Sequence, residues 1–397
     1  MLRLPRRHLL ALLLATLPFA ALAAPPKGGA ANLAMIGEPQ SLDPMASTAD
    51  LVGTIMQHVY ETLYAFDSKW NAVPMLADGM PRVSADGMTY TINIRKGVKL
   101  HSGRDLDSQD VVASLKRWME MAPRGKSVGK DTVSLEAKGT NTLEWKFSAP
   151  SASLLAQLAL PSGMAIIMAK ETIASPLVSF VGTGPYKFKE RKPDQFVVLT
   201  RFDTYSARSE AASGYAGKRE ALLDELRFTP VPNANTRVEG ALSGQFHFAD
   251  QLNVDALPRV EKGGAGVVPI ITPSFGFPYM VFNTKEGVMA NQGVRQAIQI
   301  AIGEAEMLTA AYGDKRFFTL EGNHFPQGTP FYSTAGTDQY NKQDAKRAKD
   351  MADKAGYKGE TIRLLTSRQY EFHHTMVQVM AEQLRAAGFK PEMQVVD

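Results

Sequence analysis

The chain has 397 residues, of which 44% are hydrophobic and 21% are charged, as is typical of a soluble globular protein. Its length exceeds what one hydrophobic core usually serves, so two or three lobes are expected. There is no cysteine, which excludes disulfides, thiolate metal sites and cysteine nucleophiles, and the formal net charge is only +4. Three of those positive charges lie in the first seven residues, so the remainder is too close to neutral to present the basic surface of a nucleic-acid-binding protein.

The N-terminus has the pattern of a secretory signal peptide over residues 1–23. Arginines precede an apolar run, residues 9–23, that closes on a small-x-small cleavage pattern at Ala21 and Ala23. A membrane anchor would need a longer run, and the lack of cysteine excludes a lipoprotein tether. We therefore expect a periplasmic protein exported by the general secretory route, with the twin-arginine route as the alternative.

The first predicted elements after the signal are a strand over residues 32–36 and a helix that begins at Asp50. Leu51, Ile55, Val59 and Leu63 recur at the spacing of one buried helix face. This spacing predicts a helix that includes all four residues.

Strands and helices continue to about residue 180. Alternating apolar residues over 88–94 predict a half-exposed strand after the Asp-Gly turn at 86–87. Asp107 and Asp110 can cap the next helix, which buries Trp118.

A Gly-x-Gly-Pro turn at 182–185 leads into the alternating strand Tyr186 to Glu190. Glycine reaches positive φ without strain and proline presets its own φ, so the turn predicts a tight chain reversal. A phosphate-binding loop would need Lys-Ser or Lys-Thr followed by a helix. Because a strand follows instead, we do not predict a phosphate site.

A glycine run at 263–266 indicates a lobe boundary near residue 265. After it, strands are predicted around 267–271 and 279–283, and one helix over 293–312. A further helix at 342–355 precedes a strand at 361–366, a helix at 371–387 and a strand at 390–396. Strand, helix and strand at this spacing predict a βαβ crossover.

The sequence contains no recognisable catalytic motif. It lacks a Gly-x-Ser-x-Gly elbow, a His-Glu-x-x-His pair and a calcium loop. The adjacent pair His373 and His374 would point in different directions at a helix start, which makes it a poor two-point metal site. We therefore predict no enzyme activity, no cofactor and no metal site, with an exported hydrolase as a remote alternative because deep clefts suit both roles.

Loops at the ends of predicted strands are the better candidates for ligand binding. In open α/β sheets, ligands bind beyond the carboxyl ends of strands, which favours the loop at 367–370. Arg368 in that loop could bind a carboxylate with two parallel hydrogen bonds. Other candidates lie in the loop after the first strand and in a proline-flanked aromatic run.

Taken together, the sequence resembles the extracytoplasmic solute-binding proteins of ATP-driven importers, in the dipeptide, oligopeptide and nickel-binding family (family 5). The motifs that carry the resemblance are Ser41-Leu42-Asp43-Pro44, Tyr60-Glu61-Thr62-Leu63, Pro74-Met75-Leu76-Ala77, Ser84-Ala85-Asp86-Gly87-Met88-Thr89-Tyr90, Arg95-Lys96-Gly97-Val98-Lys99, Asp110-Val111-Val112-Ala113-Ser114, Gly182-Thr183-Gly184-Pro185-Tyr186, Val294-Arg295-Gln296-Ala297-Ile298 and Ala386-Ala387-Gly388-Phe389.

The resemblance implies an α/β, two-lobed periplasmic-binding-protein fold of type II, similar to cluster C, with an extra α+β domain inserted in the first lobe. The implied divisions are 24–44 and 181–265 for the first lobe, 45–180 for the inserted domain and 266–397 for the second lobe. Family members ordinarily continue beyond the strand at 390–396. The second lobe is therefore expected to be shortened at its C-terminus, with an uncovered sheet edge and with reduced binding or none.

The resemblance also implies a function, namely capture of peptides or peptide-like solutes in an interlobe cleft and delivery to a membrane ABC permease with cytoplasmic ATPase subunits. A nickel-chelate receptor is the alternative within the family. We expect a monomer with no nucleic-acid partner. In dipeptide-binding relatives an arginine in the loop aligned with residues 367–370 holds the ligand's C-terminal carboxylate, which favours Arg368. The predicted ligand-binding residues are Glu38, Ser41, Thr183, Phe275, Phe277, Arg368 and Tyr370.

Overall fold

The computed structural model describes residues 27–263, 266–272, 276–368 and 370–396. The predicted signal peptide, residues 1–23, and the predicted ligand residue Phe275 lie outside the described residues. In the part of the chain that the structure describes, no helix is both long enough and apolar enough to cross a membrane.

Strands and helices are interspersed along the described chain. The strands are β1 (Ala30–Met35), β2 (Glu61–Thr62), β3 (Tyr64–Phe66), β4 (Ala72–Pro74), β5 (Arg82–Val83), β6 (Thr89–Asn93), β7 (Thr132–Ala137), β8 (Thr142–Phe147), β9 (Ile166–Ile167), β10 (Tyr186–Lys192), β11 (Phe196–Arg201), β12 (Glu225–Pro230), β13 (Phe248–Ala249), β14 (Thr361–Ser367) and β15 (Lys390–Val396). The helices are α1 (Asp50–Met56), α2 (Ser108–Met121), α3 (Pro123–Asp131), α4 (Leu154–Ala159), α5 (Ala234–Leu242), α6 (Leu257–Lys262), α7 (Gln292–Ala301), α8 (Glu304–Tyr312), α9 (Ala345–Lys354) and α10 (Glu371–Ala386).

The largest sheet has five strands in the order β10-β11-β12-β1-β13. Strand β1 runs parallel to both of its neighbours, with Leu33 opposite Phe228 on β12 and opposite Phe248 on β13. Strands β10 and β11 form an antiparallel hairpin beside β12. The sheet therefore joins segments from both sides of the region predicted as an insertion.

A second sheet, in the order β5-β6-β8-β7, is antiparallel throughout and packs against α2. Helix α2 begins with the predicted cap, because the Asp107 side chain accepts from the backbone N–H groups of Gln109 and Asp110, and Asp110 reciprocates. The two indole rings of Trp118 and Trp145 are fully buried here.

The five-stranded sheet and the antiparallel sheet share one hydrophobic core. Met35 and Phe228 of the larger sheet belong to the same contiguous cluster as Trp118 and Trp145. The proposed inserted domain, residues 45–180, is thus packed on the first lobe without a break in the apolar core.

Helix α1 is shorter than the apolar spacing predicts. It ends at Met56, yet Val59 and Leu63 are 0% and 1% exposed. The Gln57 to Tyr60 segment turns the chain into β2, so these residues reach the core from a turn and a strand edge. Apolar residues at helical spacing can therefore be buried even where the chain is no longer helical.

The C-terminal part of the described chain contains the predicted βαβ unit. Strands β14 and β15 are parallel, with Leu364 opposite Met393, and α10 packs against both. A second core cluster joins this unit to α7 and α9.

The single helix predicted over residues 293–312 is wrong, because the structure has two helices, α7 and α8, separated at Ile302 and Gly303. The break is held by the side chain of Gln383 on α10, whose Oε1 accepts from the Gly303 N–H at 3.0 Å and whose Nε2 donates to the Gly303 carbonyl at 3.3 Å. An amide from a distant helix thus replaces the next helical hydrogen bonds.

The strands predicted around 267–271 and 279–283 are also not formed in the described part of these segments. Their apolar side chains are largely exposed, with 79% for both Ile270 and Val281. A strand requires a hydrogen-bonded neighbour, and Pro269 further removes one backbone donor.

Candidate functional site

A large cavity lies between the five-stranded sheet and the C-terminal βαβ unit, with a volume of about 2990 Å³. On one side it is lined by the segment from α5 to α6, including Arg237 and Asp250. On the other side it is lined by β14 and the first turns of α10, including Arg368 and Tyr370. The loop beyond the carboxyl end of β14 therefore opens into the cavity.

Three predicted ligand residues line this cavity, namely Phe277, Arg368 and Tyr370. Arg368 is exposed and forms no ion pair with the described residues. It follows β14, whose last residue is Ser367, and precedes α10 by three positions. Its guanidinium is thus presented at the junction between a strand end and a helix start.

The helix start beside Arg368 leaves backbone donors available. Among the described residues no side chain caps α10 at its N-cap residue, Tyr370. The Tyr370 carbonyl accepts from the N–H groups of His373 and His374. Unpaired N–H groups and the helix dipole give the N-terminus a partial positive charge. Together with Arg368 this end of the cavity suits an anion.

Tyr370 lies in a partly buried and acidic environment. Burial is the main cause that raises the pKa of its hydroxyl, and the carboxylates of Asp50 and Asp250 raise the pKa further. Its ring centroid is 5.9 Å from that of Phe372 and 5.6 Å from that of His373. The phenol therefore remains protonated at neutral pH.

Phe277 forms part of a separate aromatic group on the cavity wall. Its ring centroid lies 4.9 Å from that of His324, edge to face, and 5.9 Å from that of Tyr279. The side chain is 43% exposed. It offers an apolar contact surface to a bound molecule.

Glu38 and Ser41 do not line the large cavity. Glu38 binds Arg191 at 2.7 Å and accepts from the backbone N–H of Asp194 at 2.7 Å, and the Arg191 hydrogen bond lowers the pKa of Glu38. The Ser41 hydroxyl accepts from the backbone N–H of Asp43 at 3.0 Å. Both side chains thus fix the loop after β1.

Thr183 is also placed away from the cavity lining. It is fully buried and donates to Oε2 of Glu61 at 2.8 Å, while the Tyr205 hydroxyl donates to Oε1 at 2.7 Å. The threonine therefore supplies one of the hydrogen bonds that satisfy the buried Glu61 side chain.

The loop after β1 is tied to α2 by a buried ion pair. Asp43 accepts from Arg117 at 2.5 Å, and both side chains are less than a tenth exposed. The Asp43 of the Ser41-Leu42-Asp43-Pro44 motif therefore serves to hold this loop against α2.

Sequence reasoning missed Arg237, Asp250 and the Asp50 side chain as cavity residues. Arg237 is 4% exposed and donates to the carbonyls of Val231, Pro232, Asp250 and Gln251. Arg237 could have been noticed in the sequence because it is a charged residue in the first turns of the amphipathic pattern 233–242. No local signal distinguishes the two aspartates from surface acids.

The adjacent histidines of the sequence are His373 and His374. Both residues lie in the first turn of α10, and burial lowers the pKa of His373. Within the ranges that the structure describes, no three His, Cys, Asp or Glu side chains are grouped so as to hold a metal ion.

Comparison with known proteins gives consistent similarities. A family model described as bacterial extracellular solute-binding proteins, family 5, middle, matches residues 71–397. A probable peptide ABC transporter periplasmic-binding protein, y4tO of Sinorhizobium fredii, is 26% identical over 359 residues, covering 88% of this chain and 67% of the relative. The glutathione-binding protein GsiB of Pectobacterium atrosepticum is 26% identical over 362 residues, covering 90% and 67%.

The fold has a counterpart among solved structures. The periplasmic binding protein DppA of Helicobacter pylori, in complex with the peptide STSA, superposes with a TM-score of 0.75 at 22% identity and covers 94% of this chain and 74% of that one. This similarity confirms the predicted α/β periplasmic-binding-protein fold.

Proposed function

The chain belongs to the bacterial extracellular solute-binding proteins of family 5, and from this premise we propose that it binds a peptide or peptide-like solute in the cavity and delivers it to an ABC permease. The observation that carries the proposal is that Arg368 lines the cavity without an ion pair to any described residue. It lies beside the start of α10, which no side chain of the described residues caps.

The carboxyl terminus of a peptide is the group that this end of the cavity suits best. An arginine binds a carboxylate with two parallel, charge-assisted hydrogen bonds. The first N–H groups of α10 add donors on the same side. Carboxylate binding therefore satisfies donors that the described residues leave open.

The cavity has room for more than a single small molecule. Pockets for drug-sized ligands are typically about 300–1,000 Å³, whereas this one is about 2990 Å³. Phe277 and Tyr370 supply apolar and hydrogen-bonding surface for side chains of differing character. These dimensions favour a peptide over a single ion or a monosaccharide.

The proposed mechanism is capture and presentation without catalysis. The solute binds between the two predicted lobes and stabilises a closed arrangement, which a membrane permease with cytoplasmic ATPase subunits recognises. The protein acts as a monomer in the periplasm after removal of residues 1–23. The names of the peptide and glutathione relatives support the peptide class.

The test is calorimetric titration of the purified protein with tri-alanine and with tri-alanine amide. The free acid is expected to bind at least about tenfold more tightly, since hydrogen bonds to charged groups contribute about 1.5–3 kcal/mol. Arg368→Ala is expected to remove the difference between the two peptides. Arg363→Ala is the matched control, because Arg363 lines the same cavity from β14, the strand that Arg368 follows.

Equal binding of the acid and the amide by the unaltered protein would contradict the carboxylate site. If neither peptide binds, and no component of a broad peptide mixture binds either, the peptide function is contradicted. If a metal chelate co-purified with the protein in place of peptides, the nickel-chelate alternative would replace it.

A further inference from the structure

The cavity wall around Tyr370 carries an excess of negative charge. Asp50, Asp250 and Glu371 all line the cavity, and none of them forms an ion pair with the described residues. Asp50 and Glu371 are exposed, whereas Asp250 is half-buried. Burial raises the pKa of Asp250, and the Asp50 carboxylate adds to that rise.

The guanidinium group of Arg237 lies near these carboxylates but forms no ion pair with them. Arg237 lies among them, but its hydrogen bonds are to the backbone carbonyls described above. Its charge does influence both Asp250 and Glu371, since each interacts electrostatically with it. Three carboxylates against the two guanidinium groups of Arg237 and Arg368 leave the region net negative.

An aromatic wall adjoins the same carboxylates. The rings of Tyr370, Phe372, Tyr312 and Phe318 follow one another along the cavity, with successive centroids 5.9, 5.6 and 6.3 Å apart. Aromatic faces attract cations through their quadrupoles, and the attraction is stronger where water is displaced. Carboxylates beside aromatic faces are the combination that binds an ammonium or guanidinium group.

A buried hydroxyl in the cavity wall also lacks a partner. Thr366 is 7% exposed, lines the cavity four residues before Tyr370, and its Oγ1 has no hydrogen bond in the described structure. A buried polar group without a partner is costly.

We propose that this acidic and aromatic wall is a subsite for a positively charged side chain of the solute. Arg368 and Tyr370 are two residues apart, so their Cα atoms are at most about 7 Å apart. We therefore assign a carboxylate at Arg368 and a cation at Tyr370 to the same ligand residue. The preferred solute is a peptide that ends in lysine or arginine, a specificity that rests on the proposed peptide-binding function.

The experiment compares Ala-Ala-Lys with Ala-Ala-norleucine by calorimetric titration of the full chain. The two peptides share both termini and the side-chain carbons, so only the side-chain ammonium differs. The lysine peptide is expected to bind at least about tenfold more tightly, and the Asp50→Asn/Asp250→Asn variant is expected to bind the two within about threefold.

Asp255→Asn is the control, because Asp255 lines the same cavity but is not among the carboxylates that shift the pKa of Tyr370. It is expected to keep the preference for lysine. Binding of the norleucine peptide by the double variant shows that the variant is folded. If it binds neither peptide, Asp50→Asn alone, at an exposed site, is expected to lower the preference at least threefold.

Equal binding of the two peptides by the unaltered protein overturns the cationic subsite and leaves the peptide function standing. A preference for lysine that survives both Asp50→Asn and the double variant overturns the assignment to these carboxylates. Failure of every peptide overturns the proposed function and this inference with it.

Discussion

Gly182 and Gly184 are required by the backbone that passes beside them. Neither glycine has the positive φ that the Gly-x-Gly-Pro turn suggests. A Cβ on Gly182 would lie 2.2 Å from the Val59 carbonyl oxygen, and one on Gly184 would lie 2.4 Å from the His58 carbonyl oxygen. The turn is therefore a close contact between two chain segments, joined by hydrogen bonds from Gly184 to Val59 and from Tyr186 to His58.

Replacing Gly184 by alanine should destabilise the protein by at least about 2 kcal/mol, because the added methyl group forces the two segments apart. The measurement is urea unfolding of both proteins. Gly79→Ala is the control, since nothing lies within 4 Å of its Cβ position, and it should change the free energy of unfolding by less than about 0.5 kcal/mol. Equal effects of the two substitutions would contradict the close-contact explanation.

His101 holds the same joint in its neutral form. Its Nε2 donates to the Gly184 carbonyl at 2.9 Å, and its Nδ1 accepts from the Gly182 N–H at 3.3 Å. Burial lowers the pKa of His101 to about 4 from the ordinary 6.5. A proton on Nδ1 would also face the Gly182 donor, so the charged form is doubly disfavoured.

Stability should therefore depend on pH through His101. Between pH 6.5 and about 4 the unfolded chain binds a proton that the folded protein does not. The free energy of unfolding should fall with falling pH in this window, by up to about 1.4 kcal/mol per pH unit from this group. His101→Gln keeps a side-chain N–H donor but cannot titrate. In this variant the free energy of unfolding should no longer show the part of the pH dependence that comes from His101.

The measurement is urea unfolding at pH 7.5 and pH 5.0 for both proteins. All other titrating groups are common to the two, so the difference in their pH dependence isolates His101. The same pH dependence in the variant would contradict the role given to this residue.

At the scale of elements, the division between α7 and α8 depends on one buried amide. Gln383 is 8% exposed, and besides its two bonds to Gly303 it donates to Glu306 at 2.7 Å. The apolar pattern continues through the break, which is why the sequence predicts a single helix. The partner that ends the helix lies 80 residues away and leaves no local signal.

Gln383→Ala should destabilise the protein by about 2 kcal/mol, because it leaves the buried N–H of Gly303 without a partner. Gln378→Ala, at an exposed position of the same helix, should have an effect below about 0.5 kcal/mol. Chemical denaturation of the three proteins measures both. A Gln383 effect as small as that of Gln378 would show that water satisfies Gly303 equally well.

Other elements follow their sequence patterns closely. The cap at Asp107, the strand Phe196–Arg201 and the unit β14-α10-β15 were all predicted, because capping, alternation and helical periodicity are local properties. The predicted strands near 267 and 279 were wrong because pairing is not local. An apolar run indicates a possible strand, but only a neighbouring chain makes it one.

At the scale of the whole molecule, the cavity lies between two walls. One is formed by segments beside the five-stranded sheet, and the other by the βαβ unit. A solute that contacts both walls should favour a closed arrangement. We expect the radius of gyration measured by small-angle X-ray scattering to fall when a bound peptide saturates the protein. Arg368→Ala, at the same peptide concentration, should show the larger value of the free protein.

An unchanged radius of gyration, with binding verified in the same sample by calorimetry, would contradict closure. The peptide class would then stand on binding alone, and the permease would have to recognise the bound state by another feature.

The sequence by itself determined the family, the α/β class, the βαβ unit and the candidate loop at Arg368. These depend on periodicity, turn residues and short motifs, all of which are contiguous in the chain. Only the tertiary structure decided which polar residues reach the cavity. Thr183 and Glu38 are occupied by Glu61 and Arg191, whereas Asp50 and Asp250, 200 positions apart, face Tyr370 together. A side chain's partners depend on how distant segments pack, and no local pattern encodes that packing.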